Sequence, residues 1–249
     1  MSDLRIIPLG GLPETHAGDD LGALLARALR QHDLTPTDDD VLVVTQKIVS
    51  KAEGRLVRLS EVQPSPFALD YAARYAKDAR QIEVVLRESV RIVRMDRGVL
   101  LCETRHGFIC ANAGVDASNA ADDTVVLLPL DPDASATAVR SALHAAFGAA
   151  PAVLISDSFG RPWREGIVNV AIGVAGMQPL RDYTGQHDPA GYELRVSVLA
   201  VADELASAAE LVMGKVDRVP AALIRGYAYP VGAGSARALV RDPGKDMFR

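Results

Sequence analysis

The stretch Ser156-Asp157-Ser158-Phe159-Gly160-Arg161-Pro162-Trp163-Arg164 sets a carboxylate between two hydroxyls and follows it with two arginines and the chain's single tryptophan. An aspartate beside a hydroxyl suits a hard divalent cation such as Mg2+ or Mn2+, which takes oxygen ligands and leaves its other positions to water or phosphate oxygens. The planar forks of Arg161 and Arg164 match the oxygens of a phosphate or a carboxylate. The plain alternative is a solvated turn in which Trp163 plugs a hydrophobic gap and the arginines make surface ion pairs. A second stretch, Ala111-Asn112-Ala113-Gly114-Val115-Asp116-Ala117-Ser118-Asn119, carries small residues that let backbone approach a ligand closely. Asp116 and Asn119 would share a face if a helix starts there, although Asp116 reads equally as a helix N-cap. Taken jointly, the two aspartates at two strand ends describe a divalent-metal centre built from separated segments.

A third cluster, Thr45, Gln46, Lys47 and Lys51, follows a short apolar run. If a helix begins here, its free N–H groups and the lysines favour an anion such as a nucleotide phosphate; a capped, solvated helix would use the same residues. Gly10-Gly11-Leu12-Pro13-Glu14 is a rigid turn that either lines a base or ribose or is simply a turn. The chain has no G-x-x-x-x-G-K-[ST] phosphate loop and no G-x-S-x-G elbow. Cys102, His106 and Cys110 supply too few ligands on a short hairpin for zinc and read as two core thiols and a turn histidine.

These residues need elements to hold them. Leu4 to Leu9 reads as a first strand, and Asp19-Asp20 caps a helix with Leu21, Leu24, Leu25 and Ala28 on its apolar face. Val41 to Val44 and Ala152 to Ile155 are β-branched, buried-looking strands that run straight into the third and first clusters. The Asp38-Asp39-Asp40 run before the former reads as a solvated strand entry. Helical spacing recurs over Phe67 to Tyr75 and again over Ile82 to Leu86. Arg91 to Met95, Val99 to Cys102 and Phe108 to Ala111 form a meander, and Val125 to Leu128 is a strand. A helix with proline in its first turn spans Ala134 to Phe147. Glu193 to Val201 alternates as a strand, a helix passes through Leu205, Ala208, Ala209 and Val212, and Ala221 to Ile224 is a last buried strand. Hairpins mixed with helical crossovers give an α/β class of the α+β, mixed-sheet kind.

The chain has 249 residues, 49% of them hydrophobic and 24% charged, which is the composition of a globular domain. A net charge of -5 argues against a nucleic-acid or anionic-membrane binder. Two cysteines exclude a disulfide scaffold, and no signal-like or bilayer-length apolar run occurs, so a cytoplasmic address is expected.

Five segments, in one order, resemble the coenzyme F420-0:L-glutamate ligase family: Leu12-Pro13-Glu14, Val43 to Gly54, Asn112 to Asn119, Ser156 to Arg164, and Val201 to Lys215. The resemblance covers almost the whole chain. It implies GTP-dependent addition of L-glutamate to the deazaflavin coenzyme F420-0 through a γ-linked amide, by way of an acyl phosphate, with release of GDP and phosphate. It implies an unusual mixed α/β fold in an intertwined homodimer, with no nucleic-acid or membrane partner. It also implies one ligase unit over residues 1–249, of two lobes at most, without the C-terminal flavin reductase-like domain of some relatives.

Position by position, the resemblance makes Asp116 and Asp157 ligands of a first divalent metal, Mg2+ or Mn2+, with Ser158 where a metal-linked threonine is usual. Leu12, Pro13, Glu14 and Thr15 correspond to a first GTP-contacting turn, Gln46 and Lys51 to a second, and Asn119 to a further contact. Met213, Gly214, Lys215 and Val216 correspond to another GTP-binding stretch. Archaeal members tend to carry a glutamate there that helps hold a second metal, where this chain has Lys215. Either Glu210 or Asp217 serves instead, or the lysine replaces part of that charge. Arg161 and Arg164 fall to phosphate or substrate carboxylate, and K+ is an optional further component. Two other readings use the same residues: a metal-dependent, nucleotide-using amide ligase with another acceptor, and a nucleotide- or deazaflavin-binding module without turnover.

Overall fold

The computed structural model describes residues 3–118 and 123–246. In chain order the elements are β1 (Arg5–Leu9), α1 (Leu21–Gln31), β2 (Val41–Thr45), α2 (Gln46–Ala52), β3 (Leu56–Arg58), α3 (Pro66–Tyr75), α4 (Ala79–Glu88), β4 (Ser89–Asp96), β5 (Val99–Thr104), β6 (Ile109–Ala111), β7 (Thr124–Val126), α5 (Pro132–Phe147), β8 (Ala152–Arg161), β9 (Arg164–Ala175), β10 (Arg181–Asp182), β11 (Val198–Leu199), α6 (Val201–Met213) and β12 (Ala221–Arg225). The mixed α/β class expected from the alternation of hairpins and crossovers is what forms.

A five-stranded sheet of order β1-β12-β2-β8-β9 carries the larger core. Only β2 and β8 run parallel; every other neighbour is antiparallel. Val41 to Val44, Ala152 to Ile155 and Ala221 to Ile224 are all fully buried, so both faces of the sheet must be covered. Helix α6 lies across the strands, while α5 packs on β8 and β9 with α1 beside it. Gly173 marks how closely α5 approaches, because a Cβ there would stand 2.3 Å from the Pro132 carbonyl oxygen.

The crossover from β2 to β8 does not return at once. Residues between Val57 and Leu127 build a second, smaller core from α3, α4 and the meander β4-β5-β6, with Leu59, Tyr71, Ile82, Val85, Leu100 and Val125 inside it. Short polar residues start these helices. Asp20 accepts from Ala23 N at 2.9 Å, Asp78 from Arg80 N at 2.8 Å and Asp131 from Ala134 N at 3.0 Å, each taking one of the donors that a helix start leaves unpaired.

Four expectations are corrected. Glu193 to Val201 is not one strand: Val198 and Leu199 pair with Asp182 and Arg181, Glu193 makes only an isolated bridge with His187, and Val201 opens α6. The alternation there buries no face, Val196 being 90% exposed. Strand β8 does not end at Ile155 but continues through Arg161, paired with β9 throughout, because β9 supplies backbone partners where β2 has stopped. Asp40 is not solvated; it is buried and forms a two-point ion pair with Arg225, Oδ1 accepting from Nε at 2.8 Å and Oδ2 from Nη2 at 2.7 Å. Trp163 plugs no gap, being 81% exposed at the tip of the β8–β9 hairpin with a positive φ of 58°. Among the described residues no helix is long and apolar enough to cross a membrane.

Candidate functional site

The last step shared by β2 and β8 is Thr45 opposite Ser156. One residue further on, the sheet has lost β2, and Asp157 stands at the opening. Chain leaving β2 turns directly into α2, which sets Lys47 and Lys51 on the same side of the sheet's end.

Asp116 arrives from the other lobe. After β6 the backbone passes through Asn112, Ala113 and Gly114, all three at positive φ, a conformation costly for the two non-glycine residues and held here by packing. Gly114 cannot carry a side chain, since a Cβ would stand 2.7 Å from Leu128 Cγ. The turn delivers Asp116 to an antiparallel bridge with Val126; residues 116–118 are therefore not helical, contrary to the shared-face geometry expected for Asp116 and Asn119. Asn119 itself lies outside the described residues.

Lys47 Nζ lies 2.9 Å from Asp116 Oδ2 and donates to Ser118 Oγ at 2.6 Å, while Ser118 N donates to Asp116 Oδ1 at 2.7 Å. Burial pushes the Asp116 carboxyl upward, but the hydrogen bonds from Lys47 and Ser118 together hold it below its ordinary range. Burial pushes Asp157 up to about 6; the Ser158 amide opposes this, the charge of Asp116 adds to it, and Lys47 and Lys215 oppose it in turn. Two carboxylates and two ammonium groups thus share one field at the end of the sheet.

Ser158 points to a different group. Its hydroxyl accepts from Lys215 Nζ and donates to Asn169 Oδ1 at 2.7 Å, and Lys215 also lies 3.1 Å from Glu210 Oε1. Lys215 follows Gly214, the residue ending α6 at φ 61°. Met213 is buried in the larger core, and Val216 is exposed.

At the nucleotide-candidate turn, Lys51 Nζ donates to Glu14 Oε1 at 2.5 Å. Thr15 is buried with its hydroxyl unpartnered among the described residues, as is that of Ser156. Buried Gln46 accepts from Ser50 Oγ at 2.8 Å. Leu12 packs against the larger core, and Pro13 is exposed beside it. The arginines are not brought to the aspartates: Arg161 donates back to the hairpin carbonyls of Glu165 at 2.5 Å and Gly166 at 3.4 Å, and Arg164 is exposed at the tip. Cys102 and Cys110 are buried free thiols opposite one another in β5 and β6. His106 Nε2 lies 2.9 Å from the Pro129 carbonyl oxygen, as expected of a turn histidine.

Nothing around Asn169 in the sequence signals chemistry; its register opposite Ser158 is what places it. The Lys47–Asp116 pair was likewise invisible, because the two residues belong to different lobes.

Comparison with known proteins agrees in one direction. A sequence model described as F420-0:Gamma-glutamyl ligase matches residues 11–226. The chain is 46% identical over 251 aligned residues to the coenzyme F420:L-glutamate ligase of Methanothermobacter thermautotrophicus, covering 99% of both chains. It is 45% identical to that of Methanopyrus kandleri, covering 99% of this chain and 98% of the relative. Against that of Archaeoglobus fulgidus the identity is 40%, over 99% and 96%.

Proposed function

The chain belongs to the F420-0:gamma-glutamyl ligase family and is a ligase of L-glutamate and coenzyme F420, and we propose that the ligation is driven by GTP through an acyl phosphate at the site between Asp116 and Asp157. The observation that carries this reading is the meeting of those two carboxylates with Lys47 and Lys215 where the sheet loses a strand.

The donor set suits a hard divalent cation: two carboxylates in one field, with Asp157 short of compensating charge because burial disfavours its ionised form. Asp116 and Asp157 would hold Mg2+ or Mn2+, with Ser158 contributing the lone pair that Lys215 leaves it. When bound, the ion neutralises charge on a transferring phosphoryl group.

In the proposed reaction a carboxylate oxygen of F420-0 attacks the γ-phosphorus of GTP, and the bond to the β-phosphate oxygen breaks, leaving GDP. The amine of L-glutamate then attacks the acyl carbon; phosphate leaves with the bonding pair, and the amine loses a proton to complete the amide. Positioning and charge supply most of the catalysis in such transfers. Lys51 and Lys47 place ammonium groups beside the nucleotide, and the unpartnered Thr15 hydroxyl and Gln46 offer polar contacts in the same quarter. Leu12, Pro13, Glu14, Asn119, Gly214, Lys215 and Val216 complete the proposed nucleotide surface, while Met213, buried in the larger core, anchors the last stretch from behind. Arg161 and Arg164 on the projecting hairpin would meet a substrate anion only after Arg161 leaves its backbone partners.

A homodimer and a cytoplasmic setting belong to the same reading. The β8–β9 hairpin projects beyond the sheet with Trp163 and Ile167 exposed, a surface suited to a second copy, and the free thiols suit a reducing compartment.

The test is to incubate the protein with F420-0, L-glutamate, GTP and Mg2+ or Mn2+, with and without K+, omitting each in turn, and to follow the coenzyme by mass spectrometry. Stepwise gain of glutamyl mass that needs GTP and the divalent ion is expected. Gain without GTP refutes the proposed energy source; no gain, with GTP bound, points to another acceptor or to a binding module. Light scattering at the monomer mass refutes the dimer.

A further inference from the structure

The family resemblance implies a second divalent cation held with help from an acidic residue in the Met213–Val216 segment, and the residues present do not fit one. Lys215 Nζ donates to Ser158 Oγ and pairs with Glu210 Oε1 at 3.1 Å. Asn169 Nδ2 donates to the other Glu210 oxygen at 2.7 Å, and Ser158 Oγ donates to Asn169 Oδ1 at 2.7 Å. The four side chains close a ring of three hydrogen bonds and one ion pair. Asn169 is its fixed corner: it is buried, and its backbone carbonyl oxygen accepts from Ser207 Oγ at 2.7 Å.

Both oxygens of Glu210 are engaged in this ring. Asp217 folds back over Gly214, where a Cβ would stand 2.2 Å from its Oδ2. A second divalent ion at Glu210 and Ser158 would have to expel the ammonium of Lys215 and then lie beside a like charge. Among the described residues no group of three or more His, Cys, Asp or Glu side chains is placed to hold a metal.

We propose that Lys215 is the second positive charge of this site, a tethered ammonium standing where a second divalent ion would, so that the chain works with one divalent cation. The inference rests on the reading of Asp116 and Asp157 as ligands of that one cation. An ammonium has three donors. Ser158 and Glu210 take two, and the half-exposed head of Lys215 leaves the third for an oxygen of the bound phosphate. The ring fixes its direction, which offsets the usual freedom of a four-carbon stem.

The experiment counts bound Mn2+ by the loss of its free-ion electron paramagnetic resonance signal, using full-length protein with equimolar non-hydrolysable GTP analogue and a protein-free analogue blank. About one Mn2+ per chain is expected for the wild type. Lys215→Glu, which pairs a carboxylate with Glu210 in place of the ammonium, is expected to bind about two, following from the oxygen preference of the ion. Two Mn2+ on the wild type, or one on Lys215→Glu, overturns the inference. None on the wild type overturns the Asp116–Asp157 centre itself, which separates the two failures. Should Lys215→Glu not fold, Lys215→Gln replaces it: a loss of about tenfold or more in affinity for the GTP analogue is expected from removing a charged donor, and unchanged affinity overturns the proposal.

Discussion

The ammonium of Lys47 lies 2.9 Å from Oδ2 of Asp116, tying the first helix after β2 to the turn after β6 and so one lobe to the other. Asp116 is held below its ordinary value of 3.8 against the upward push of burial. A carboxyl depressed in the folded state contributes stability above its unfolded value, and the contribution disappears as pH falls through the folded value. Lys47→Met is therefore expected to cost at most about 1 kcal/mol at pH 7, because the pair is partly solvated. That gap should close on acidification below 3.8. Urea unfolding of both proteins across this range checks it; a gap that persists in acid would mean that Lys47 acts through packing.

Asp157 behaves in the opposite sense. Its carboxyl is raised from 3.8 to about 6, so the metal-free protein gains stability as pH falls from about 6 towards 3.8 and carries the full penalty of the buried ionised group above 6. Asp157→Asn should raise the neutral-pH stability of metal-free protein by about 1–3 kcal/mol while lowering metal-dependent ligation by about 100-fold or more. Thermal unfolding in EDTA on either side of that value, with the ligase assay beside it, reads both. A variant that keeps its activity removes Asp157 from the proposed metal set.

Lys51 is mostly buried and pairs with Glu14, itself 68% exposed. Such a lysine is placed to exchange a solvent-facing carboxylate for a phosphate. Lys51→Ala should raise KM for GTP by about 10- to 100-fold, the worth of a hydrogen bond to a charged group, with KM for F420-0 little changed. An unchanged KM for GTP would take Lys51 out of the nucleotide site.

Arg225 covers a fully buried carboxylate, Asp40, at the far end of β2 from the site. Arg225→Ala strands that charge and should destabilise the fold by about 3–5 kcal/mol. Because Asp40 lies at the opposite end of the strand, kcat of the folded fraction should be unchanged. Loss of kcat in protein that is still folded would connect this pair to the reaction.

Much of this protein was legible in its sequence. The runs Val41 to Val44, Ala152 to Ile155 and Ala221 to Ile224 are uniformly apolar, which only a strand covered on both faces requires. Asp20 and Asp131 mark helix starts by local hydrogen bonding, which acts within a few residues. The motifs around Asp116 and Asp157 are chemically suggestive because they set carboxylates and hydroxyls after buried strands. Tertiary structure decided what those groups face. The insertion of a whole lobe between parallel neighbours brings Asp116 to Lys47, and strand register sets Asn169 opposite Ser158. The end of β2 at Thr45 leaves Asp157 at an opening, and the turn of α6 at Gly214 aims Lys215 at Ser158 and Glu210. Asp40, read as solvated from its two acidic neighbours, became the carboxylate of a buried ion pair once Arg225 arrived from the far end of the chain. Local sequence encodes propensity and pattern over a few residues; the fields that tune these side chains come from groups distant along the chain, and only packing brings them within reach.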